Sequence, residues 1–221
     1  MEIERIIDLT HSLKPGKEKR KLELKTYFVE EILPHIKRDK DVWYIMQELT
    51  ILDHIGTHIE ASYHYIKEGI DAARLPLENL VREAVVLDFS YKKPLEKIDV
   101  DELSKYNQQI QENDIVLIRT DRSKYYRSKD YSQRPFLTPE AIKWLIQKKI
   151  GCLGIDASGI EVKGIDDQPN HKLLFENGIP LIENLTNLDQ IKKDRVLLIV
   201  LPLKIEGMDA SPLRVVAIEE K

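Results

Sequence analysis

Apolar residues along the chain recur mostly in short runs that polar turns separate, and a helical period is clear in only a few places. Residues 115–120 are almost continuously apolar, which is typical of a strand buried on both faces. Shorter or alternating apolar runs predict further strands. These predicted strands cover residues 6–10, 46–52, 84–89, 152–156, 179–185, 196–203 and 213–218.

The clearest helical period covers residues 138–150, where large apolar side chains recur along one stripe. Thr138 is the predicted N-cap of this helix, and Gly151 is its predicted stop. The helix lies between the predicted strands 115–120 and 152–156. The sequence therefore predicts a parallel pair of strands joined by a right-handed crossover.

Two shorter helices are also predicted. Residues 101–110 fit one of them, with Asp99 or Asp101 as its N-cap. Residues 168–177 fit the other, with Asp167 as a candidate cap.

Two stretches are harder to assign. Residues 22–45 begin with the alternation of a strand, and residues 29–36 within them fit a short helix. Residues 121–136 are polar and rich in tyrosine, and they are long enough to form a functional loop. No internal repeat or linker interrupts the pattern, so we expect one mixed α/β domain over residues 1–221.

Composition limits the classes of protein that fit. Apolar residues make up 42% of the chain and charged residues 33%, which is typical of a soluble protein with a substantial core. A net charge of −4 and a pI near 5.9 predict no attraction to nucleic acid or to a membrane surface. The charged N-terminus does not resemble a signal peptide, and no stretch approaches about 20 apolar residues, so we expect a cytoplasmic protein. The single cysteine, Cys152, lies in an apolar run and is predicted to pack in the core.

Three of the six histidines fall between residues 54 and 64, together with one carboxylate. A straight strand would spread these side chains over about 33 Å, which is too far for one metal centre. A helix would point His58 and Glu60 to nearly opposite sides. The segment must therefore curl, and Gly56 permits an unusual backbone conformation there. Imidazole and carboxylate ligands suit zinc, manganese or iron(II), and a loop of hydrogen-bonded histidines is the alternative.

His54, His58 and Glu60 can supply three ligands to a divalent ion. His171 and Glu183 lie at the ends of predicted elements, where site residues often cluster. If they converge on the first three, five ligands are available, enough for two metals bridged by Glu60 or for one metal. Taken alone, His171 is more typical of a helix surface and Glu183 of an exposed strand end. The helix dipole favours the neutral imidazole of His171, which is the form that binds metal.

His64 is either a further ligand or an acid–base group that passes a proton to a leaving group. Four aspartates are further candidates whose spacing does not single them out, namely Asp53, Asp121, Asp156 and Asp166. The basic run over residues 17–21 is predicted to be a solvated loop rather than an anion-binding patch. The sequence has no glycine-rich phosphate loop, no G-x-S-x-G motif and no C-x-x-C motif, which argues against nucleotide binding, serine hydrolysis and thiol redox chemistry.

The histidine stretch resembles the signature H-x-G-T-H-x-D-x-P-x-H of the metal-dependent cyclase/kynurenine formamidase family. The matching positions are His54, Gly56, Thr57, His58 and His64. Other stretches resemble the family along nearly the whole chain, and residues 15–45 are the least similar. The similar stretches are residues 8–13, 137–141, 171–174, 179–185 and 201–214.

This resemblance implies a swivelling β/β/α fold and an amidohydrolase that acts on an N-formyl arylamine, such as N-formylkynurenine, or on a related cyclic amide. It also implies a small-molecule substrate, one or two divalent ions (zinc or manganese), and a homodimer or homotetramer. By matching position, the implied roles are metal binding for His54, His58, Glu60, His171 and Glu183, with Glu60 shared between two ions, and acid–base catalysis for His64.

The chain departs from the family signature at two positions. Glu60 replaces an aspartate, which keeps the charge but changes the reach of the carboxylate. Ser62 replaces a proline, which we expect to loosen the backbone beside it. Two alternatives therefore stay open: a metal-binding protein without hydrolase activity, and a lyase or true cyclase.

Overall fold

A curled, mixed sheet of nine strands frames the molecule in the computed structural model, which describes residues 2–221. The strands are β1 (Ile3–Asp8), β2 (Leu22–Phe28), β3 (Ile45–Ile51), β4 (His58–Glu60), β5 (Val81–Asp88), β6 (Lys97–Ile98), β7 (Ile115–Arg119), β8 (Phe136–Leu137), β9 (Cys152–Ile155), β10 (Leu181–Glu183), β11 (Val196–Val200), β12 (Ala210–Pro212) and β13 (Val215–Glu220). The helices are α1 (Val29–Ile32), α2 (Val100–Leu103), α3 (Pro139–Gln147) and α4 (Pro169–Glu176).

The strand order in the main sheet is β1-β13-β11-β5-β7-β9-β10-β4-β12. The four strands β5, β7, β9 and β10 are parallel to one another. The strands on either side of these four are antiparallel to their neighbours. The parallel pairing of β7 with β9 confirms the strand–helix–strand prediction, because α3 lies between them in the chain.

The central strand β7 is buried on both faces, as its continuous apolar run predicts. Ile115 and Leu117 pack in a core that strands from both halves of the sheet share. Val116 and Ile118 face a second core, to which α3 and α4 contribute. Cys152 is fully buried in the first of these cores, which confirms its predicted packing role.

The helix predicted over residues 138–150 is α3. Thr138 caps it, with its side chain accepting a backbone hydrogen bond of 3.2 Å. The helix ends earlier than predicted, and Lys149 rather than a glycine adopts the left-handed conformation, with φ 55°. Gly151 does not end the helix but lets two backbone segments pack closely, because a Cβ at this position would lie 2.8 Å from the carbonyl oxygen of Asn113.

The helix predicted over residues 101–110 is shorter than expected, since α2 gives way to a 3₁₀ turn after one turn. Asp99 is its N-cap and accepts a hydrogen bond of 3.3 Å from the Glu102 amide. The Ser104 hydroxyl donates to the Asp101 carbonyl at 2.9 Å, and such local side-chain bonds compete with helix continuation.

Two pairs of strands lie outside the main sheet, namely β2 with β3 and β6 with β8. Residues 22–51 form a separate ribbon in which β2 pairs with β3. The predicted strand at the start of residues 22–45 is β2, and the helix predicted over residues 29–36 is the shorter α1. The strand β12 was missed because its residues are small or turn-forming, and it pairs with β4 at the edge of the main sheet.

No helix within the described part of the chain is long and apolar enough to cross a bilayer. That the chain forms a single domain stays a prediction.

Candidate metal centre

Two candidate ligands lie on the short strand β4, between β10 and β12. Successive side chains of a strand point to opposite faces, so Ile59 enters the core while His58 and Glu60 share the other face. Glu183 on β10 is the register partner of His58 and therefore lies on the same face. All three of these polar side chains are buried. Leu181, opposite Glu60, packs in the core beneath them.

The chain curls at Gly56, as predicted. This glycine has φ +60°, and a Cβ there would lie 2.4 Å from the Leu13 side chain. The resulting turn brings His54 back over the strand, so that its Nδ1 lies 2.9 Å from Glu60 Oε1. His58 Nε2 lies 3.3 Å from the same oxygen.

The two oxygens of Glu60 face different partners. Oε1 is shared by His54 and His58, whereas Oε2 is buried and has no hydrogen-bond partner among residues 2–221. His171 Nε2 lies 3.6 Å from Oε2 and 3.5 Å from Glu183 Oε1. The Glu60 carboxylate thus has His54 and His58 beside Oε1 and His171 beside Oε2.

Glu161, which sequence reasoning missed, fixes the position of His171. Its Oε1 accepts hydrogen bonds from the amides of Asn170 (2.7 Å) and His171 (3.0 Å), and it lies 3.0 Å from His171 Nδ1. It therefore binds the free amides at the start of α4, so the prediction that Asp167 caps this helix is wrong. With Nδ1 held by Glu161, the Nε2 atom of His171 faces the centre of the site. His171 and Glu183 are both buried, although a histidine on a helix and a glutamate at a strand end are more typically exposed.

The carboxylates dominate the electrostatics of the site. Burial acts to lower the pKa of His171, but the hydrogen bond to Glu161 and the charges of Glu183 and Glu60 raise it to about 10. Burial likewise opposes the effect of Glu60 and Asp209, which raise the pKa of His54 to about 9. The nearby carboxylates thus act on the pKa of His171 in the opposite direction to the helix dipole, which favours the neutral imidazole.

Asp209 was also missed, and it joins two of the histidines. Its Oδ2 lies 2.6 Å from His64 Nδ1 and 2.9 Å from His54 Nε2. These contacts, together with a hydrogen bond from Asp53, hold the pKa of Asp209 below its usual range despite partial burial. Asp209 reaches this place because the backbone amide of Ala61 donates to its carbonyl at 2.9 Å, next to the pairing of β12 with β4.

Three of the four candidate aspartates lie apart from this cluster. Asp156 is buried at the end of β9 and accepts hydrogen bonds from Thr120. Asp121 pairs with Arg119, and Asp166 is exposed. Asp53 does lie at the edge of the site beside Asp209, although nothing in its spacing indicated this.

Ser62 does not leave the backbone loose, contrary to expectation. Its hydroxyl accepts a hydrogen bond of 2.9 Å from the Ile70 amide, and its carbonyl accepts bonds from Tyr65 and Ile66. Gly69 packs against the Ser62 backbone so closely that a Cβ would lie 2.7 Å from it. The loop after His64 is therefore closed on itself without a proline.

Part of the predicted ligand set fits a divalent ion on geometric grounds. His58, Glu60 and Glu183 are close enough to share one ion, and so are His54, Glu60 and His64. The buried Oε2 of Glu60 has no hydrogen-bond donor among residues 2–221, and an isolated carboxylate oxygen is costly unless a cation or a proton donor satisfies it. Borderline ligands of this kind suit divalent first-row metals.

The ligands open into a cavity of about 750 Å³. Tyr126, Tyr131 and Arg134, from the predicted functional loop over residues 121–136, line its wall. Lys19 and Arg20 also line it, so the basic run predicted as a solvated loop is exposed but borders the site.

Solved structures with this fold define the class of protein. Isatin hydrolase A from Labrenzia aggregata, bound to benzyl benzoate, superimposes with a TM-score of 0.82 and 28% identity over 98% of this chain and 94% of that chain. A predicted metal-dependent hydrolase from Bacillus stearothermophilus gives a TM-score of 0.77 and 27% identity over 97% of this chain and 98% of that chain. The fold and the ligand set together define a metal-dependent hydrolase.

The family follows from the sequence comparison. The model of the family described as "Putative cyclase" matches residues 7–162. Kynurenine formamidase from Bacillus thuringiensis (strain Al Hakam) is 31% identical over 170 residues, which is 76% of this chain and 78% of the relative. The chain therefore belongs to the cyclase family, which confirms the resemblance and the mixed-sheet fold that it implies. These relatives also support the predicted class of enzyme, a metal-dependent amide hydrolase.

Proposed function

We propose that this protein hydrolyses the C–N bond of an aryl amide, with one or two divalent ions held by the five convergent ligands. The substrate is an N-formyl arylamine, such as N-formylkynurenine, or a cyclic amide fused to an aromatic ring. The observation that carries the proposal is the Glu60 carboxylate, which offers one oxygen to each of two imidazole groups and keeps Oε2 without a protein donor.

In this proposal His54, His58 and Glu60 hold one ion, and Glu60, His171 and Glu183 hold a second where two are bound. A divalent ion acts there as a Lewis acid toward the amide carbonyl and lowers the pKa of water. Zinc and manganese both suit these ligands.

The residues of the chain supply proton transfer and orientation. His64 Nδ1 donates to Asp209, which leaves Nε2 free to accept a proton from the attacking water and to return it to the leaving nitrogen. A C–O bond forms at the carbonyl carbon, the C–N bond breaks, and the products are a carboxylic acid and an amine. Asp209 also accepts from His54 Nε2, so one carboxylate orients both rings.

The cavity supports an aromatic substrate. Tyr126 and Tyr131 form an edge-to-face pair, with ring centroids 5.6 Å apart, on the wall beside the ligands. Aromatic side chains favour flat aromatic partners. The names of the relatives agree with this, since kynurenine formamidase and isatin hydrolase both act on amides whose nitrogen is attached to a benzene ring.

Turnover of a matched panel tests the proposal. The metal-free protein is loaded with zinc or with manganese, its metal content is measured, and it is incubated with formanilide and with isatin. We expect stoichiometric formation of formate and aniline from the first, or of the ring-opened acid from the second. A filled site with no turnover of any aryl amide would favour a metal-binding protein without hydrolase activity. A product that has not gained water would favour a lyase or cyclase.

Two further parts of the prediction belong to this proposal. We propose that the protein is a homodimer or homotetramer, which light scattering in solution tests. A cytoplasmic location also stays a prediction, and cell fractionation tests it.

A further inference from the structure

Arg134 lies on the cavity wall without a carboxylate partner. Its Nε donates to the Gly159 carbonyl at 2.9 Å and its Nη1 donates to Ser158 Oγ at 3.3 Å. No carboxylate of residues 2–221 lies within ion-pair distance of its guanidinium, although the side chain is partly buried. The Nη2 group of this half-buried guanidinium keeps N–H donors available, and a planar guanidinium can bind a planar anion through paired N–H donors, which form a fork.

Arg134 lies close to Glu183, one of the proposed metal ligands. A Cβ on Gly159 would lie 3.0 Å from Arg134 Nη2 and 3.0 Å from Glu183 Oε1. These two atoms are therefore no further apart than twice that distance, and they pack tightly around Gly159. The charge of Glu183 acts on the guanidinium without a direct ion pair. Gly159 has φ +124°, so a residue with a side chain is disfavoured here both by backbone conformation and by the space it would fill.

Two more cations surround the same part of the wall. Lys19 Nζ lies 4.7 Å from the ring centroid of Tyr131, and the positive charges of Arg134 and Arg20 both act on the Tyr131 hydroxyl. Neither Lys19 nor Arg20 forms an ion pair with a carboxylate in the described chain. Arg127 provides the contrast, because it is neutralised by a direct ion pair with Glu18.

We infer that Arg134, supported by Lys19 and Arg20, forms a subsite for a carboxylate that the substrate carries close to its scissile amide. This inference rests on the proposed function and narrows its substrate class. The preferred substrate is an aryl amide with a carboxylate a few bonds from the C–N bond, because Arg134 lies close to the proposed metal ligand Glu183. The aromatic ring then lies against Tyr131, and the guanidinium binds the carboxylate in a charge-assisted, forked hydrogen bond.

Kinetics with two substrates that differ in one charge test the subsite. N-formylanthranilate carries a carboxylate next to the formamide, and formanilide is its neutral counterpart. For the wild type we expect kcat/KM to be at least about 10-fold higher for N-formylanthranilate. Arg134→Gln should lower kcat/KM for this substrate by about 10- to 100-fold, mainly by raising KM, because a charge-assisted hydrogen bond is lost. For formanilide the change should stay below about 3-fold.

Two further variants separate binding from a structural effect. Arg134→Lys keeps the charge without the fork and should restore part of the preference for N-formylanthranilate. Arg82→Gln removes the same charge from a partly exposed arginine outside the cavity and should leave kcat/KM unchanged for both substrates. An equal loss on both substrates in Arg134→Gln, or no preference in the wild type, would overturn the inference.

Equilibrium binding keeps the inference testable if no amide is hydrolysed. Metal-free protein is titrated with anthranilate and with 2-aminobenzamide, since a carboxylate could otherwise bind a metal ion. Arg134→Gln should weaken anthranilate binding by at least about 10-fold and leave 2-aminobenzamide unchanged. Anthranilate binding without turnover of any amide would retain the subsite and refute the proposed function. Equal turnover of both formamides would retain the function and refute the subsite.

Discussion

The floor and the mouth of the cavity both carry ionisable residues, but the charges of the two regions are balanced in different ways. We define the floor as His58, Glu60, His171 and Glu183, and the mouth as Lys19, Arg20, Tyr131 and Arg134. The floor residues lie on β4, β10 and α4 and are all buried. The mouth residues lie on loops and are exposed or half-buried.

The difference is one of charge balance. On the floor, each imidazole contacts a carboxylate, and each carboxylate contacts an imidazole. At the mouth, Arg134 has no carboxylate partner in the described residues. Buried charges must be matched within the protein or by an ion it binds, whereas charges at an open mouth are solvated and can be matched by a ligand. Regular elements therefore hold the reactive groups, and loops provide recognition.

The largest effect should come from removing the central carboxylate of the floor. Glu60→Ala leaves His54, His58 and His171 without their shared partner, so we expect bound metal to fall well below one equivalent. Turnover should fall by more than about 100-fold, because even outer partners of metal ligands cost about 10- to 100-fold. Elemental analysis and steady-state kinetics measure the two effects.

Glu60→Asp is the matched control, since aspartate stands at this position in the family signature. It keeps the charge and shortens the reach by one methylene, and we expect it to retain metal. Wild-type metal content in Glu60→Ala would show that this carboxylate is not a ligand.

The next largest effect should come from His64, at the rim between floor and mouth. His64→Ala should keep the metal content and lower kcat by about 100- to 10,000-fold, because proton transfer to the leaving nitrogen is lost. His35→Ala is the control, since His35 is exposed and lies outside the cavity. Undiminished turnover in His64→Ala would remove this residue from the mechanism.

A smaller effect is expected from Asp209, which orients two rings without facing the substrate carbonyl. Asp209→Asn keeps a hydrogen-bond acceptor but loses the charge that both His54 and His64 contact. We expect kcat to fall by about 10- to 100-fold, with weaker metal binding and a shifted pH profile for kcat. Asp53→Asn changes the neighbouring carboxyl group but keeps a hydrogen-bond donor to Asp209, and it should have the smaller effect on kcat. A loss equal in both variants would indicate a general charge effect rather than orientation.

The smallest effect on activity should come from Asp156, which lies below the floor and has no imidazole partner. Burial raises its pKa to about 6, although hydrogen bonds from Thr120 oppose this effect. The folded state therefore holds a proton that the unfolded chain releases near pH 4. The contribution of Asp156 to stability is greatest below pH 4 and is lost as the pH rises to about 6, by about 3 kcal/mol in total.

Asp156→Asn removes this titration while keeping an acceptor for Thr120. Relative to the wild type, its free energy of unfolding should rise by about 3 kcal/mol between pH 4 and pH 7. Urea unfolding of both proteins at four pH values measures this difference. Parallel pH profiles would contradict it.

The local features of the site could be predicted from the sequence. The two-residue spacing of His58 and Glu60 determines that they share one face of a strand, and Gly56 determines where the chain curls. The apolar run of β7 and the capped period of α3 are likewise local patterns, because hydrophobic burial and capping act on neighbouring residues.

The tertiary structure alone decided which distant groups complete the site. Glu161, Asp209 and Arg134 come from loops, and nothing in their spacing relates them to His58 or Glu60. Their positions follow from the pairing of β4 with β10 and β12 and from the packing of α4, which bring segments more than 100 residues apart into contact. Local propensity carries no information on such pairings, because their free energy comes from contacts that form only when the whole sheet is assembled.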